Sequence, residues 1–369
     1  MKTLYLLLLL LGAAACATAP KGVKSVKPDV AIIAYYAGDS ISFKQYPADK
    51  LTHIIYSFLH LQGNAFAFDN ARDKATVKAL VALKGGQPDL KVMLSLGGWG
   101  GCETCSQVFS TAQGRAEFAR SVKEILVATH TDGIDLDWEY PAIAGFPSHR
   151  FAAQDKPNFT LLVQALRKTL GNGYEISFAA GGFTEYLKKS VEWRAVMPLV
   201  NRVNLMSYDL VNGYSTTTGH HTPLYSTPTQ PQSVDNGVRF LDSVGVDSRK
   251  IVIGAAFYAR IFSGANAANN GLAQAGRFEK SIDYHYFSDS LSGARGFVNY
   301  WDDLAKAPYA YNSRRREFAS FDDEKSVQLK TQYVLAKKLG GIMFWQLTGD
   351  KPARGLLDVI YTTAHSGHQ

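Results

Sequence analysis

Eight short apolar runs, rich in β-branched and aromatic residues, punctuate the chain. They cover residues 30–36, 52–58, 91–96, 133–137, 175–179, 202–207, 251–256 and 341–345. Most are continuous rather than alternating, which is how strands covered on both faces read. Between them lie stretches of helical spacing, clearest over 71–83, 113–129, 158–170, 233–244 and 323–339. Strand and helix alternating eight times predict an α/β protein, a closed (β/α)8 TIM barrel. The competing architecture, a doubly wound open sheet, wants a glycine-rich phosphate loop after its first strand. Tyr36-Ala37-Gly38-Asp39-Ser40 is not one.

One gap breaks the rhythm. From Arg260 to about Ser320 no barrel helix separates the seventh strand from the eighth. Such a stretch is too long for a structureless loop. It predicts a small α+β subdomain over 261–320, inserted on the catalytic rim, with the barrel formed by 30–260 and 321–365.

Composition narrows the class. At 46% hydrophobic and 19% charged residues the chain can bury a large core. The net charge is +7, but the basic residues are scattered, with Arg314-Arg315-Arg316 the densest run. No basic stripe or nucleic-acid module accompanies them, so a nucleic-acid partner is not expected. After residue 20 no apolar run is long enough to span a bilayer.

The first residues read as a targeting segment. Met1-Lys2-Thr3 precedes Leu4, Tyr5 and the leucines Leu6 to Leu11, then Gly12-Ala13-Ala14-Ala15-Cys16. A basic start, an apolar stretch and small residues make a signal peptide over 1–16. Small residues followed by Cys16 resemble a bacterial lipobox, although Ala13 stands where Leu is usual. Residues 17–29 read as a tether. The chain is therefore expected to be exported and held on a bacterial membrane only through lipid on Cys16, or otherwise secreted, and to act as a monomer. Cys102 and Cys105, two residues apart, suit a redox pair, half a zinc site or a local disulfide. An exported chain favours the disulfide, and no second Cys pair or spaced His pair completes a zinc site.

The chemistry concentrates in Asp132-Gly133-Ile134-Asp135-Leu136-Asp137-Trp138-Glu139-Tyr140-Pro141. Alternate side chains of a strand share a face. Asp135, Asp137 and Glu139 therefore point one way, and Ile134, Leu136 and Trp138 the other. The apolar set suits the layer between sheet and helices. The acidic set must then point into the barrel and up to its C-terminal mouth, where barrel active sites sit. Close carboxylates cannot all ionise together, so at least one stays protonated near neutral pH. Glu139, nearest the strand's end, is the natural acid. Asp132 falls on the opposite face by parity and reads as structural.

The spacing D-x-x-D-x-D-x-E over Asp132–Glu139 resembles the signature of glycoside hydrolase family 18, the chitinases. Ser95-Leu96-Gly97-Gly98-Trp99 is similar to that family's third-strand motif, and Met206-Ser207-Tyr208-Asp209 to its sixth. Phe257-Tyr258-Ala259-Arg260 resembles the segment leaving the seventh strand, with Ala259 in place of Gly. Gly341-Ile342-Met343-Phe344-Trp345 resembles the eighth, and 261–320 a chitinase insertion domain. The resemblance spans residues 30 to 350 in order.

It implies a glycosidase that needs no cofactor or metal, acting on chitin or N-acetylglucosamine oligosaccharides with retention of configuration. The substrate's own 2-acetamido oxygen would be the nucleophile, an exception to the two-carboxylate scheme. Glu139 would then be acid and base, Asp137 would orient the acetamido group, Asp135 would set the proton of Asp137, and Tyr208 would donate to the acetamido oxygen. Trp345 would floor the cleavage subsite. Tyr35, Phe58, Gly98, Trp99, Met206, Asp209, Tyr258 and Arg260 would line subsites. Three other readings compete. One is a metal-dependent hydrolase using the acidic strand with His220 and His221. The others are an endo-β-N-acetylglucosaminidase acting on N-glycan cores and a chitin-binding, lectin-like protein.

Overall fold

The computed structural model describes residues 30–366. The expected leader and tether, and Cys16 with them, lie outside the described residues. Eight parallel strands form the barrel, numbered here β1 (Ala31–Tyr36), β2 (His53–Gln62), β3 (Lys91–Gly97), β4 (Gly133–Asp137), β5 (Glu175–Gly181), β6 (Arg202–Met206), β7 (Ile251–Ala256) and β8 (Gly341–Trp345). Each pairs with its neighbour in order, and β1 pairs with both β2 and β8, which closes the sheet.

The continuous apolar runs are explained by two cores. Outward side chains such as Ile32, Ala34, Ile134, Leu136 and Ile253 join the large layer beneath the helices. Inward ones, among them Ile33, Ile55, Met93, Val252 and Met343, fill the barrel interior. Both faces are dry, so neither needs polar positions.

The long helices begin where side chains satisfy their free amides. Asn70 caps Ala71–Ala82, Thr111 caps Ala112–Thr129, and Ser233 caps Val234–Ser243. Asp323 and Ser326 form a reciprocal capping box on Glu324–Lys337. The connections are unequal, however. β1 is followed only by the 3-10 turns Ser42–Gln45 and Ala48–Lys50, because Asp39 takes the amides of Ile41 and Ser42 and Pro47 interrupts the segment.

The interruption before β8 holds an antiparallel sheet of five strands, in the order Arg277–Asp283, Tyr258–Ser263, Glu317–Ser320, Ala307–Asn312, Val298–Asp302. Its first strand begins at Tyr258, three residues before the expected boundary. β7 ends at Ala256 and runs almost directly into the second sheet. The two faces of this sheet carry separate small cores, one around Ile261, Phe297 and Phe321, the other around Phe262, Tyr311 and Phe318.

Candidate active site

The acidic strand behaves as its parity demands. Ile134, Leu136 and Trp138 lie in the outer layer, where Trp138 packs on Phe109 and Phe159. Asp135 and Asp137 are buried inside the barrel, 0% and 3% exposed. Asp132, on the outward side, accepts from Lys84 Nζ at 2.8 Å and from the Val92 amide at 2.8 Å, tying the entrance of β4 to β3.

Asp135 is held by four donors. Ser177 Oγ (2.6 Å) and Asn204 Nδ2 (3.0 Å) donate to one oxygen, and Ser95 Oγ (3.0 Å) and Tyr35 Oη (3.0 Å) to the other. Burial raises its pKa against these four bonds. Ser95 and Ser177 stand beside Asp135 in the register of β3, β4 and β5. None of Ser95, Ser177 and Asn204 was identified from sequence, yet each is the polar residue inside an otherwise apolar run. That interruption is the signal that would have found them.

Asp137, two residues on, is different. Its Oδ1 is buried and has no hydrogen-bond partner. Burial, then the charges of Glu139 and Asp135, push its carboxyl well above the usual range. Burial pushes Glu139 up to about 7, against a hydrogen bond from Tyr140 and with the Asp209 charge adding to the rise. The pair titrates together, so its protons belong to the two carboxyls jointly. The site thus holds a proton near neutral pH beside a carboxylate oxygen with nothing bonded to it.

Around this pair stand the residues the motifs singled out. Tyr208, 9% exposed, points its hydroxyl into the interior with Met343 Sδ 3.8 Å away. A Cβ at Gly254 would come within 2.7 Å of the Tyr208 ring, so the glycine in β7 makes room for it. Trp345 stacks on Phe58, centroids 5.6 Å apart at 16°, and meets Tyr35 at 6.1 Å. Gly98 serves this stack: at φ +79°, a Cβ there would lie 2.4 Å from the Phe58 ring. The Ser57–Phe58, Glu139–Tyr140 and Trp345–Gln346 peptides are cis.

The expected subsite residues separate into layers. Tyr35 is 2% exposed and spends its hydroxyl on Asp135, so it stands behind the acidic column rather than open to the cleft. Met206 packs against the inner core, and Tyr258 meets Tyr208 edge-on at 6.2 Å. Arg260 grips Asp209 with two bonds, Nε to Oδ1 at 2.7 Å and Nη2 to Oδ2. Burial alone would raise Asp209, but His221, with Nδ1 3.4 Å away, and Arg260 hold it well below the carboxylate range. Trp99 remains 46% exposed at the rim. His220 instead pairs with Asp302 at 3.0 Å. Cys102 and Cys105 are joined by a disulfide, in the loop that follows Trp99.

Comparison with known proteins agrees with this geometry. Residues 31–350 match the glycosyl hydrolases family 18. Chitinase A1 of Niallia circulans is 32% identical over 79% of this chain, which covers 46% of that relative's length. Chitinase 1 of Aphanocladium album is 31% identical over 87% of this chain and 80% of its own length. The solved structure of a family 18 N-acetylglucosaminidase from Paenibacillus barengoltzii superposes with a TM-score of 0.83 at 35% identity, covering 90% of this chain and 99% of that one. A closed barrel with three inward acids on its fourth strand, matched in sequence from β1 to beyond β8, places this chain in glycosyl hydrolase family 18.

Proposed function

We propose that the chain hydrolyses β-1,4-linked N-acetylglucosamine, as chitin or chito-oligosaccharides, by a retaining, substrate-assisted mechanism. The observation that carries this reading is the unpartnered, buried Asp137 Oδ1 beside a Glu139 whose pKa lies near 7. A buried acceptor without a donor is costly, and an acetamido N–H would satisfy it. Asp209, the carboxylate from another strand that acts on Glu139, is committed to Arg260 and cannot serve as nucleophile.

In the first step the acetamido oxygen bonds to the anomeric carbon as the glycosidic C–O bond breaks. Protonated Glu139 gives its proton to the leaving oxygen. Asp137 accepts the acetamido N–H and balances the positive charge that develops on the oxazolinium. Tyr208 donates to the acetamido oxygen and holds it near the anomeric carbon. Trp345, with Phe58 behind it, supplies a flat floor for the sugar. Water then attacks the same carbon from the vacated side, Glu139 carboxylate takes its proton, and the acetamide is restored. Asp135 acts through Asp137 as a positioning residue. Both chitinase relatives and the N-acetylglucosaminidase are named for the sugar this scheme requires.

Proton NMR of chito-oligosaccharide hydrolysis tests the mechanism. The β-anomer is expected to form first, and Glu139→Gln to lose roughly 10²–10⁴-fold in kcat while still binding oligomers. Initial α-product, or near-normal turnover in that variant, overturns it. The leader read at residues 1–16 supports export with Cys16 as the lipidated first residue. A mature mass lacking lipid, or starting beyond residue 16, would refute the anchor.

A further inference from the structure

The two halves of the barrel mouth are furnished differently. On the β8–β1–β2 side, Trp345 lies on Phe58 beside Tyr35. On the other side, rings from four successive strand ends join into one wall. Trp99, after β3, touches Tyr140 (6.3 Å) and Phe146 (5.7 Å), both after β4, and Tyr214 (6.1 Å), after β6. Tyr140 continues the wall to Phe183 and Tyr186, after β5, at 5.4 Å each.

Trp99, Phe146 and Tyr214 are nonetheless 46%, 36% and 64% exposed. Large apolar rings grouped at a rim and left open to water mark a ligand-facing surface rather than a core. The segments that carry them are built rather than loose. The Cys102–Cys105 disulfide and the Gly101 amide on Gly98 O at 2.9 Å close the loop after Trp99. Asn212 and Ser215 close the turn holding Tyr214 through three bonds: the Asn212 amide to Ser215 Oγ, the Tyr214 amide to Asn212 Oδ1 and the Ser215 amide to Asn212 O.

Glu139 stands between these two furnishings. A sugar seated on Trp345 turns its anomeric carbon toward Glu139, and its leaving group then extends past Glu139 toward the wall. Centroid separations of about 4.5–7 Å are those of aromatic rings in direct contact. No sugar ring fits between Trp99 and Tyr214 at 6.1 Å. We propose that Trp99, Phe146 and Tyr214 form an aromatic barrier that closes the leaving-group end of the cleft, so that this enzyme releases a mono- or disaccharide from the reducing end of a chain and rejects longer leaving groups. This inference rests on the glycosidase reading above and adds to it the length of the group that departs.

A chito-hexamer fluorescently labelled at its reducing end reads the barrier directly. In the wild-type protein the first labelled products are expected to be the mono- and disaccharide. Tyr214→Ala is expected to raise the initial rate of labelled trisaccharide and longer products about tenfold, the scale on which relieving one steric contact changes selection. Phe146→Ala is expected to shift the pattern in the same direction. Both side chains are solvent-exposed, and turnover of an aryl glycoside of N,N′-diacetylchitobiose, whose leaving group is small, should stay unchanged in both variants. Labelled trisaccharide and longer as the first wild-type products overturn the barrier, as does a product pattern that neither variant alters. Failure of the wild-type protein to cleave the aryl glycoside would instead strike the glycosidase reading itself.

Discussion

Asp135 and Asp137 are the same residue on the same face of one strand, one pleat repeat apart, and the fold treats them in opposite ways. Asp135 lies at the foot of the column with four donors converging from β1, β3, β5 and β6. Asp137 lies at the top with one oxygen bare and a second acid above it. Burial lifts both carboxyls. Only the upper one lacks the hydrogen bonds that would offset it. The lower acid is fixed in place by the barrel, and the upper one is left for a ligand to complete. A column of acids is therefore a graded device: rigidity at its base, unmet bonding capacity at its mouth.

The sharpest way to break that contrast is to make one substitution at both positions. Asp137→Asn should lower kcat by about 10²–10³, the cost of losing one group aimed at developing charge, with little loss of thermal stability because that oxygen has no partner to forfeit. Asp135→Asn should do the reverse in weight. Its new amide N–H2 would confront hydroxyls that now donate, at a cost of about 1–3 kcal/mol in unfolding free energy, with a smaller fall in kcat. Parallel kinetics and denaturant melts check the pair. Equal effects on both readouts at both positions would show that the column is not graded.

A smaller effect should appear in stability against pH. The folded pKa of Glu139, about 7, lies above its ordinary 4.5. The unfolded chain therefore loses that proton first, and the folded state loses stability as pH rises from about 4.5 to 7, by at most about 3 kcal/mol. Glu139→Gln removes this penalty. The variant should unfold at higher denaturant concentration than the wild type above pH 7, and the advantage should vanish below about pH 4.5. A difference independent of pH would mean that Glu139 is not held protonated by the site.

The strand order, the inserted segment and the inward acids were all legible in the sequence, because each follows from a period that local chemistry enforces. A strand turns alternate residues to alternate faces, so Asp135, Asp137 and Glu139 shared a face once Ile134, Leu136 and Trp138 were seen opposite them. Barrel strands have two dry faces, so their runs stood out as continuous. The five-strand insertion was visible only as a break in that rhythm, since antiparallel pairing between segments such as Tyr258–Ser263 and Glu317–Ser320 is set by long-range register.

What the tertiary structure alone decided is which polar groups meet. Ser95, Ser177 and Asn204 come from three strands far apart in the chain, and nothing local to any of them announces a shared acceptor. Tyr35 reads in sequence like a cleft residue, but barrel closure turns it inward onto Asp135. The wall of Trp99, Phe146 and Tyr214 exists only because loops from β3, β4 and β6 rise on the same side of the mouth. Sequence period fixes the face on which a side chain lies. Only closure of the barrel fixes its neighbours, and with them whether a carboxylate is satisfied or left open for substrate.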